Sequence, residues 1–454
     1  MSILARLLAI CAILALAVQP VASQSILRDA ETEALLKDMA APLVKAAGLE
    51  PGNVDIVLIN DPSINAFVAG GQAIYIHSGL INAADSADEV QGVIAHELGH
   101  ITGGHIIRFD EGAKAATNIT ILSLLLGIAA AAAGGGEAAM GVLAAGQQAA
   151  MGKFLAFTRV QESSADAAGA QFLSTAGISG RGSLEFFRKL QNLEFRHGYS
   201  QSDEAGFSRT HPLTGDRIVT LRETYEKDPA WTRPVDSDLQ ARFERAKAKL
   251  YGYLAEPAQT LQAYPPTRAD VSAHYARAYA YHKDAQVGKA LAESDALLMS
   301  DPNNPYFLEL KGQILLESGR PDEALASLRR ANSLTGNSPL IALTFGHALI
   351  ATEDADHYPE AERVLKAAVS RDRDNPFAWH QLGVVYAARG DMARAKLASA
   401  EQQILYRRYN EALQSAQAAF AGLPENSPDW LRAQDITLQA REALEREKKS
   451  GKRK

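Results

Sequence analysis

His96, Glu97 and His100 stand in the pattern H-E-x-x-H, and these residue types at this spacing could hydrolyse a peptide bond. Residues four apart on a helix share a face about one turn apart, so both imidazoles can reach a single ion. The glutamate beside the first can take a proton from an attacking water. The alternative is a core helix that happens to carry two histidines. A glutamate buried there without a metal would be costly, which favours the metal site. Such a site needs three protein ligands and one open position. Glu162-Ser163-Ser164-Ala165-Asp166 offers the third. Glu162 and Asp166 are one helical turn apart and share a face. Glu162 is expected to bind the ion and Asp166 to accept the other ring N–H of a ligand histidine, with His96 preferred. Glu97 is the expected general base. The expected metal is one zinc ion per chain. His105 lies too far round the helix to be a ligand, and His197 has no supporting spacing.

These residues need elements to hold them. Ser86 followed by Glu89 reads as a capping box, and Val90, Val93, Ile94, Leu98 and Ile101 recur at helical spacing, giving the H-E-x-x-H helix a buried face. Gly103-Gly104 ends it. Upstream, residues 31–47 read as a helix with Pro42 a kink or break. Residues 54–59, 66–68 and 73–77 read as strands, the last two joined through Gly70-Gly71 as a hairpin. The strand at 73–77 could also pair with an extended substrate by strand addition.

The 454-residue chain has a net charge of −7, which argues against nucleic acid as the main partner. Residues 1–23 read as a signal peptide, with Arg6, an apolar segment over 7–18 and a small-residue cleavage site at Val21-Ala22-Ser23. An uncleaved membrane anchor is the alternative. Cys11, the one cysteine of the chain, falls inside that segment. The mature chain would then hold no thiol, leaving histidine and carboxylate as its metal ligands.

Residues 24–259 are expected to form an α+β peptidase domain, mostly helical with a small sheet. Within it, residues 119–136 carry no charge until Glu137, and a second Ala/Gly-rich stretch runs on to Met151. A helical hairpin that packs on the catalytic domain or touches a membrane surface through residues 119–151 is expected, with a true span as the alternative. Residues 260–267 read as a linker. Beyond it Pro305, Pro339 and Pro376 recur, each followed seven residues later by Gly312, Gly346 and Gly383, while Ala290, Ala324, Ala361 and Ala395 keep a matching register. Trp379-x-x-Leu382-Gly383-x-x-Tyr386 nearly completes the tetratricopeptide signature. Residues 268–424 are therefore expected to be an all-α repeat solenoid, with a loop insertion near 353–359 and a weaker fifth unit using Ala412, Ala416, Ala419 and Pro424. Residues 425–454 would be a C-terminal helix and a disordered basic tail.

Taken together, His96-Glu97-x-x-His100 and Glu162-x-x-Ala165-Asp166 resemble the HtpX/BepA-type gluzincin metallopeptidases. Asn65-Ala66-Phe67 with Gly70-Gly71 and Ile74-Tyr75-Ile76 looks like that family's segment before the active-site helix. Thr210-His211-Pro212 with Arg217 looks like its downstream "THP…R" element. The signal peptide and repeats look like the periplasmic BepA branch. The resemblance implies a periplasmic zinc endopeptidase in outer-membrane protein assembly and quality control. Its substrates would be unfolded or misassembled proteins, with the repeats recruiting them or the assembly machinery. A chaperone or scaffold acting through the repeats, its peptidase latent, is the other reading. The resemblance also implies that His211 could take the fourth zinc position and hold the enzyme latent. The sequence alone leaves a catalytic role, donating to the oxyanion, or a plain turn histidine before Pro212.

Overall fold

The computed structural model describes residues 25–50, 52–132, 136–197, 211 and 215–451. The signal-peptide segment, Cys11, Thr210 and Pro212 lie outside them. The chain divides into two compact units. The first takes residues up to Leu27 and Lys37–Val235, and the second takes Arg28–Leu36 and Asp236–Lys454. The division thus falls at Val235/Asp236, not at the linker read from the sequence near residue 260.

The first unit is built on a four-stranded sheet in the order β1-β2-β4-β3, formed by β1 (Ser25–Leu27), β2 (Asp55–Asn60), β3 (Ala66–Ala69) and β4 (Ala73–His77). Gly70 and Gly71 both take positive φ, +63° and +103°. That conformation suits glycine and lets β3 turn back antiparallel onto β4. β4 also pairs with β2, in parallel, so both its edges are occupied and it cannot add a substrate strand. The strand-addition expectation for residues 73–77 is corrected on that ground: the edge strands are β1 and β3.

Helix α1 (Ala30–Ala46) runs through Pro42, so of the kink or break expected there the break does not occur. After the sheet come α2 (Ser78–Ala83), α3 (Ala87–Thr102), α4 (His105–Ala132), α5 (Gly136–Ala176), α6 (Arg181–His197) and α7 (Gly215–Glu226). α3 is the centre of the unit. Every residue from Ala87 to His100 is buried, so the helix is enclosed on all sides and not on one face as its apolar spacing suggested. The capping box does not form. Ser86 caps α3 without a side-chain bond to its backbone and donates to Asp88 instead. Glu89 accepts from the Asp85 N–H at 2.9 Å and meets Lys189 Nζ at 2.9 Å, a tertiary partner no local rule contains.

α4 and α5 form the expected helical hairpin. A Cβ at Gly146 on α5 would lie 2.0 Å from Ser123 on α4, so the two helices meet closely there. Among the described residues no helix is long and apolar enough to cross a membrane. The hairpin nonetheless exposes Ile121, Leu122, Leu124, Leu125, Leu126, Met140 and Met151.

The second unit is helical. α8 (Ser237–Leu254) and α9 (Pro257–Ala263) precede the pairs α10/α11 (Val271–Lys283, Val287–Ser300), α12/α13 (Pro305–Glu317, Pro321–Leu334), α14/α15 (Pro339–Ala351, Tyr358–Arg371), α16/α17 (Pro376–Ala388, Met392–Leu405) and α18/α19 (Tyr409–Gly422, Pro428–Gly451). The repeating prolines open the first helix of a pair, where the missing N–H costs nothing. The repeating glycines sit against the second helix: a Cβ at Gly312 would lie 2.4 Å from Leu328, and one at Gly346 would lie 2.6 Å from Leu365. The loop insertion is a 3₁₀ turn, Ala355–His357. Two expectations change. Thr260, placed in the linker, is buried within α9, and the tail is helical as far as Gly451. Residues 452–454 lie outside the described set.

Candidate active site

Two glycine contacts bring α3 and α5 together. A Cβ at Gly99 would lie 2.5 Å from the carbonyl oxygen of Ala165, and one at Gly169 would lie 3.1 Å from the backbone of Ala95. Only bare backbone permits this approach. It sets the Glu162–Asp166 face of α5 against the two histidines of α3.

His96, His100, Glu162 and His211 then converge, with one ligand atom from each within 4.8 Å of the others, all four buried. His96 Nε2 is 3.1 Å from His100 Nε2 and 3.2 Å from His211 Nδ1. The Glu162 carboxylate is 3.4 Å from His96 Nε2, 3.4 Å from His100 Nε2 and 3.1 Å from His211 Nδ1. Ligands about 2.0 Å from a tetrahedral zinc ion stand ~3.3 Å apart. The spacing of this donor set fits such an ion, and its imidazole and carboxylate chemistry suits zinc.

The surroundings point the same way. His96 Nδ1 is 3.0 Å from Asp166 Oδ1, and its other nitrogen faces the centre. Burial alone would lower the His96 pKa, but hydrogen bonds to Asp166 and Glu162 carry it up to about 10. Burial, with His96 and His211 nearby, pushes His100 down to about 2. Glu162 is held far below the usual carboxylate range: burial opposes its charge, and the hydrogen bonds of His211 and His96 override burial. Glu162 and Asp166 are thus both held in the charged form beside these imidazoles.

Glu97 is different. It is fully buried, and neither carboxylate oxygen has a hydrogen-bond partner among the described residues. Its nearest ionic neighbour is His211 Nε2, at 3.5 Å. Burial raises its pKa, with His211 and His96 opposing. A buried carboxylate without a partner is costly, and a reacting water is a partner of the right chemistry.

The sequence reading missed Arg217 as a site residue, naming it only within a family element. On α7, Arg217 clamps Asp166 through Nε to Oδ2 at 2.7 Å and Nη2 to Oδ1 at 2.8 Å, and its Nη1 is 3.1 Å from Glu162 Oε2. This planar fork fixes the carboxylate that faces His96. It also missed His105, whose Nδ1 is 2.9 Å from His100 Nδ1. His105 is not in the converging set, as expected of a non-ligand, but it touches a member of it. Spacing could not find either residue, because both contacts depend on how elements pack.

Residues 27–225 match peptidase family M48, and residues 306–338 match a tetratricopeptide repeat. Over 400 residues the chain is 27% identical to the β-barrel assembly-enhancing protease of Escherichia coli K12, covering 86% of this chain and 79% of that one. It is 28% identical over 400 residues to the putative β-barrel assembly-enhancing protease of Vibrio cholerae, covering 86% and 80%. It is also 30% identical over 182 residues to the metalloprotease LoiP of E. coli, covering 39% and 65%. The chain is a metalloendopeptidase whose first unit matches the M48 peptidase model and whose helical second unit carries tetratricopeptide repeats.

Proposed function

We propose that this metalloendopeptidase uses one zinc ion, held by His96, His100 and Glu162, to cut unfolded or misassembled proteins during outer-membrane protein assembly in the periplasm. The observation that carries the chemistry is the donor set at tetrahedral spacing beside a bare, buried Glu97. When bound, zinc supplies polarisation of the scissile carbonyl and makes the attacking water more acidic. Glu97 takes the proton of that water and later delivers it to the leaving amine. Asp166, clamped by Arg217, fixes the tautomer of His96. The assembly role is supported by the relatives named as β-barrel assembly-enhancing proteases, whose similarity extends from the peptidase domain through the repeats. The repeats would recruit substrate or assembly machinery. The export signal remains the reading of residues 1–23.

His211 supports a latent resting state. Its Nδ1 lies 3.2 Å from His96 Nε2 and 3.1 Å from Glu162 Oε1, close enough to serve as a fourth donor and crowd out a substrate carbonyl. The latch predicts that His211→Ala raises hydrolysis of an unfolded protein such as casein at equal zinc content. Reduced turnover would discard the latch in favour of an oxyanion donor, and unchanged turnover would leave His211 a turn residue. The same closure keeps a second reading open, a scaffold acting through the repeats. Envelope integrity in a Glu97→Gln strain compared with a repeat-deleted strain separates the two.

The hairpin of α4 and α5 is proposed to rest on a membrane surface. Its exposed leucines and methionines are flanked toward the base by exposed Lys114, Lys153 and Arg159, a pairing that suits acyl chains beneath anionic headgroups. Co-sedimentation with anionic phospholipid vesicles should fall when Leu124 and Leu125 are changed to Asp. Equal sedimentation of the two proteins would refute the contact.

A further inference from the structure

A histidine gives a metal one ring nitrogen, and the partner of the other nitrogen sets its tautomer and aim. For His96 that partner is the Asp166 carboxylate. For His100 it is another imidazole. His100 Nε2 faces the converging donors, and His100 Nδ1 faces Nδ1 of His105 at 2.9 Å. His105 is buried on the first turn of α4, only five residues further along the chain.

The link between α3 and α4 is shaped to allow this. Gly103 lies beneath the His105 ring, where a Cβ would stand 2.4 Å from Nε2. Gly104 takes φ +62°, a left-handed step that glycine makes without strain. The chain thereby reverses and lays His105 back against the last turn of α3. Gly103-Gly104, read from the sequence as a helix stop, also makes room for this imidazole.

We propose that His105 is the positioning residue for His100. This rests on the reading of His96, His100 and Glu162 as zinc ligands. To bind through Nε2, His100 must carry its proton on Nδ1. That N–H donates to Nδ1 of His105, which accepts and holds its own proton on Nε2. The two ligand histidines are therefore oriented unequally, one by a charged carboxylate and the other by a neutral ring at a hinge between helices.

The test is zinc affinity of the full-length chain, measured by competition with a chelator, in His105→Leu and His105→Asn. Asn places an amide oxygen near the position of Nδ1 and can accept. Leu has a similar shape and cannot. Leu should bind zinc ~10–100-fold more weakly, the usual cost of losing such a partner, with Asn within about threefold of wild type. Leu binding as tightly as wild type overturns the proposal, and so does Asn binding as weakly as Leu, since packing alone would then explain the loss. Metal-free melting temperatures of both variants check folding. His96→Ala separates the two levels of inference. If it retains zinc, the ligand set is wrong and this proposal falls with it. If it loses zinc while His105→Leu does not, the ligand set stands and only the role of His105 is lost.

Discussion

Both units of this chain bury charge, and one carboxylate of the first unit stands apart from the other buried charges. In the second unit, Arg277 is almost wholly enclosed, yet each of its nitrogens is answered. Nε and Nη2 donate to Glu293 at 2.7 and 2.9 Å, and Nη1 donates to the carbonyls of Pro265 and Arg268 at 3.1 and 2.8 Å. Glu31 is met by Arg245 and by the Tyr275 hydroxyl, and Lys249 Nζ lies 2.5 Å from Asp29. In the first unit, the buried Glu97 carboxylate has no hydrogen-bond partner among the described residues. A satisfied buried charge fixes one packing arrangement, whereas an unsatisfied one lowers stability unless something outside the chain meets it. The contrast sets groups satisfied by packing apart from the group proposed as the catalytic base.

Two substitutions should therefore show crossed effects. Glu97→Gln keeps the shape, removes the proposed base and relieves a buried carboxylate that lacks a hydrogen bond among the described residues. Hydrolysis should fall by at least ~10²-fold with zinc retained, while the melting temperature holds or rises. Arg277→Met should do the reverse. It strands Glu293 and two carbonyls, costing about 3 kcal/mol, the lower end of the range for breaking a buried pair because His274 still faces Glu293. Specific activity of the protein that remains folded should stay near wild type. Casein hydrolysis and thermal melting, measured on both variants, check this. A Glu97→Gln protein that melts well below wild type would break the comparison, since Glu97 would then have a structural role.

Legibility in the sequence follows the same divide. The repeats could be read because their packing recurs. Proline at the first helical position, glycine seven later and alanine in the facing helix depend on neighbours at fixed spacing. The convergence of His96, His100 and Glu162 was anticipated because i, i+4 spacing on two helices already restricts where side chains point. What escaped was set by packing between distant elements. Arg217 reaches Asp166 across 51 residues. Lys189 draws Glu89 away from its capping role across 100 residues. β4 lost its expected free edge because strand order, not strand identity, decides which edges are open. His105 escaped for another reason: it was placed by helical periodicity, although it lies past the stop read at Gly103-Gly104, and the reversal at Gly104 is what lays it against His100.

The second unit contains one group that tests the comparison most finely. Glu309 on α12 has an Oε2 atom that is buried without a hydrogen-bond partner among the described residues. Were it charged, the second unit would hold an unanswered carboxylate of its own. Burial pushes its pKa up to about 8; Lys249 opposes the shift, while Asp29 and Glu31 add to it. Below that pH it is neutral, so the rule of satisfied charge holds there. The sign of the stability effect follows by linkage. Between about pH 4.5, where the unfolded carboxyl ionises, and about pH 8, the folded form holds a proton that the unfolded form has lost. Stability from this group is therefore full below about pH 4.5 and is lost as pH rises toward about 8. Glu309→Gln is neutral at every pH and escapes the loss. Its melting temperature relative to wild type should climb from pH 5 to pH 8 and change little above about pH 8.5. A constant difference across that range would mean that Glu309 titrates alike in both states, and the second unit would then tolerate an unanswered buried carboxylate just as the first does.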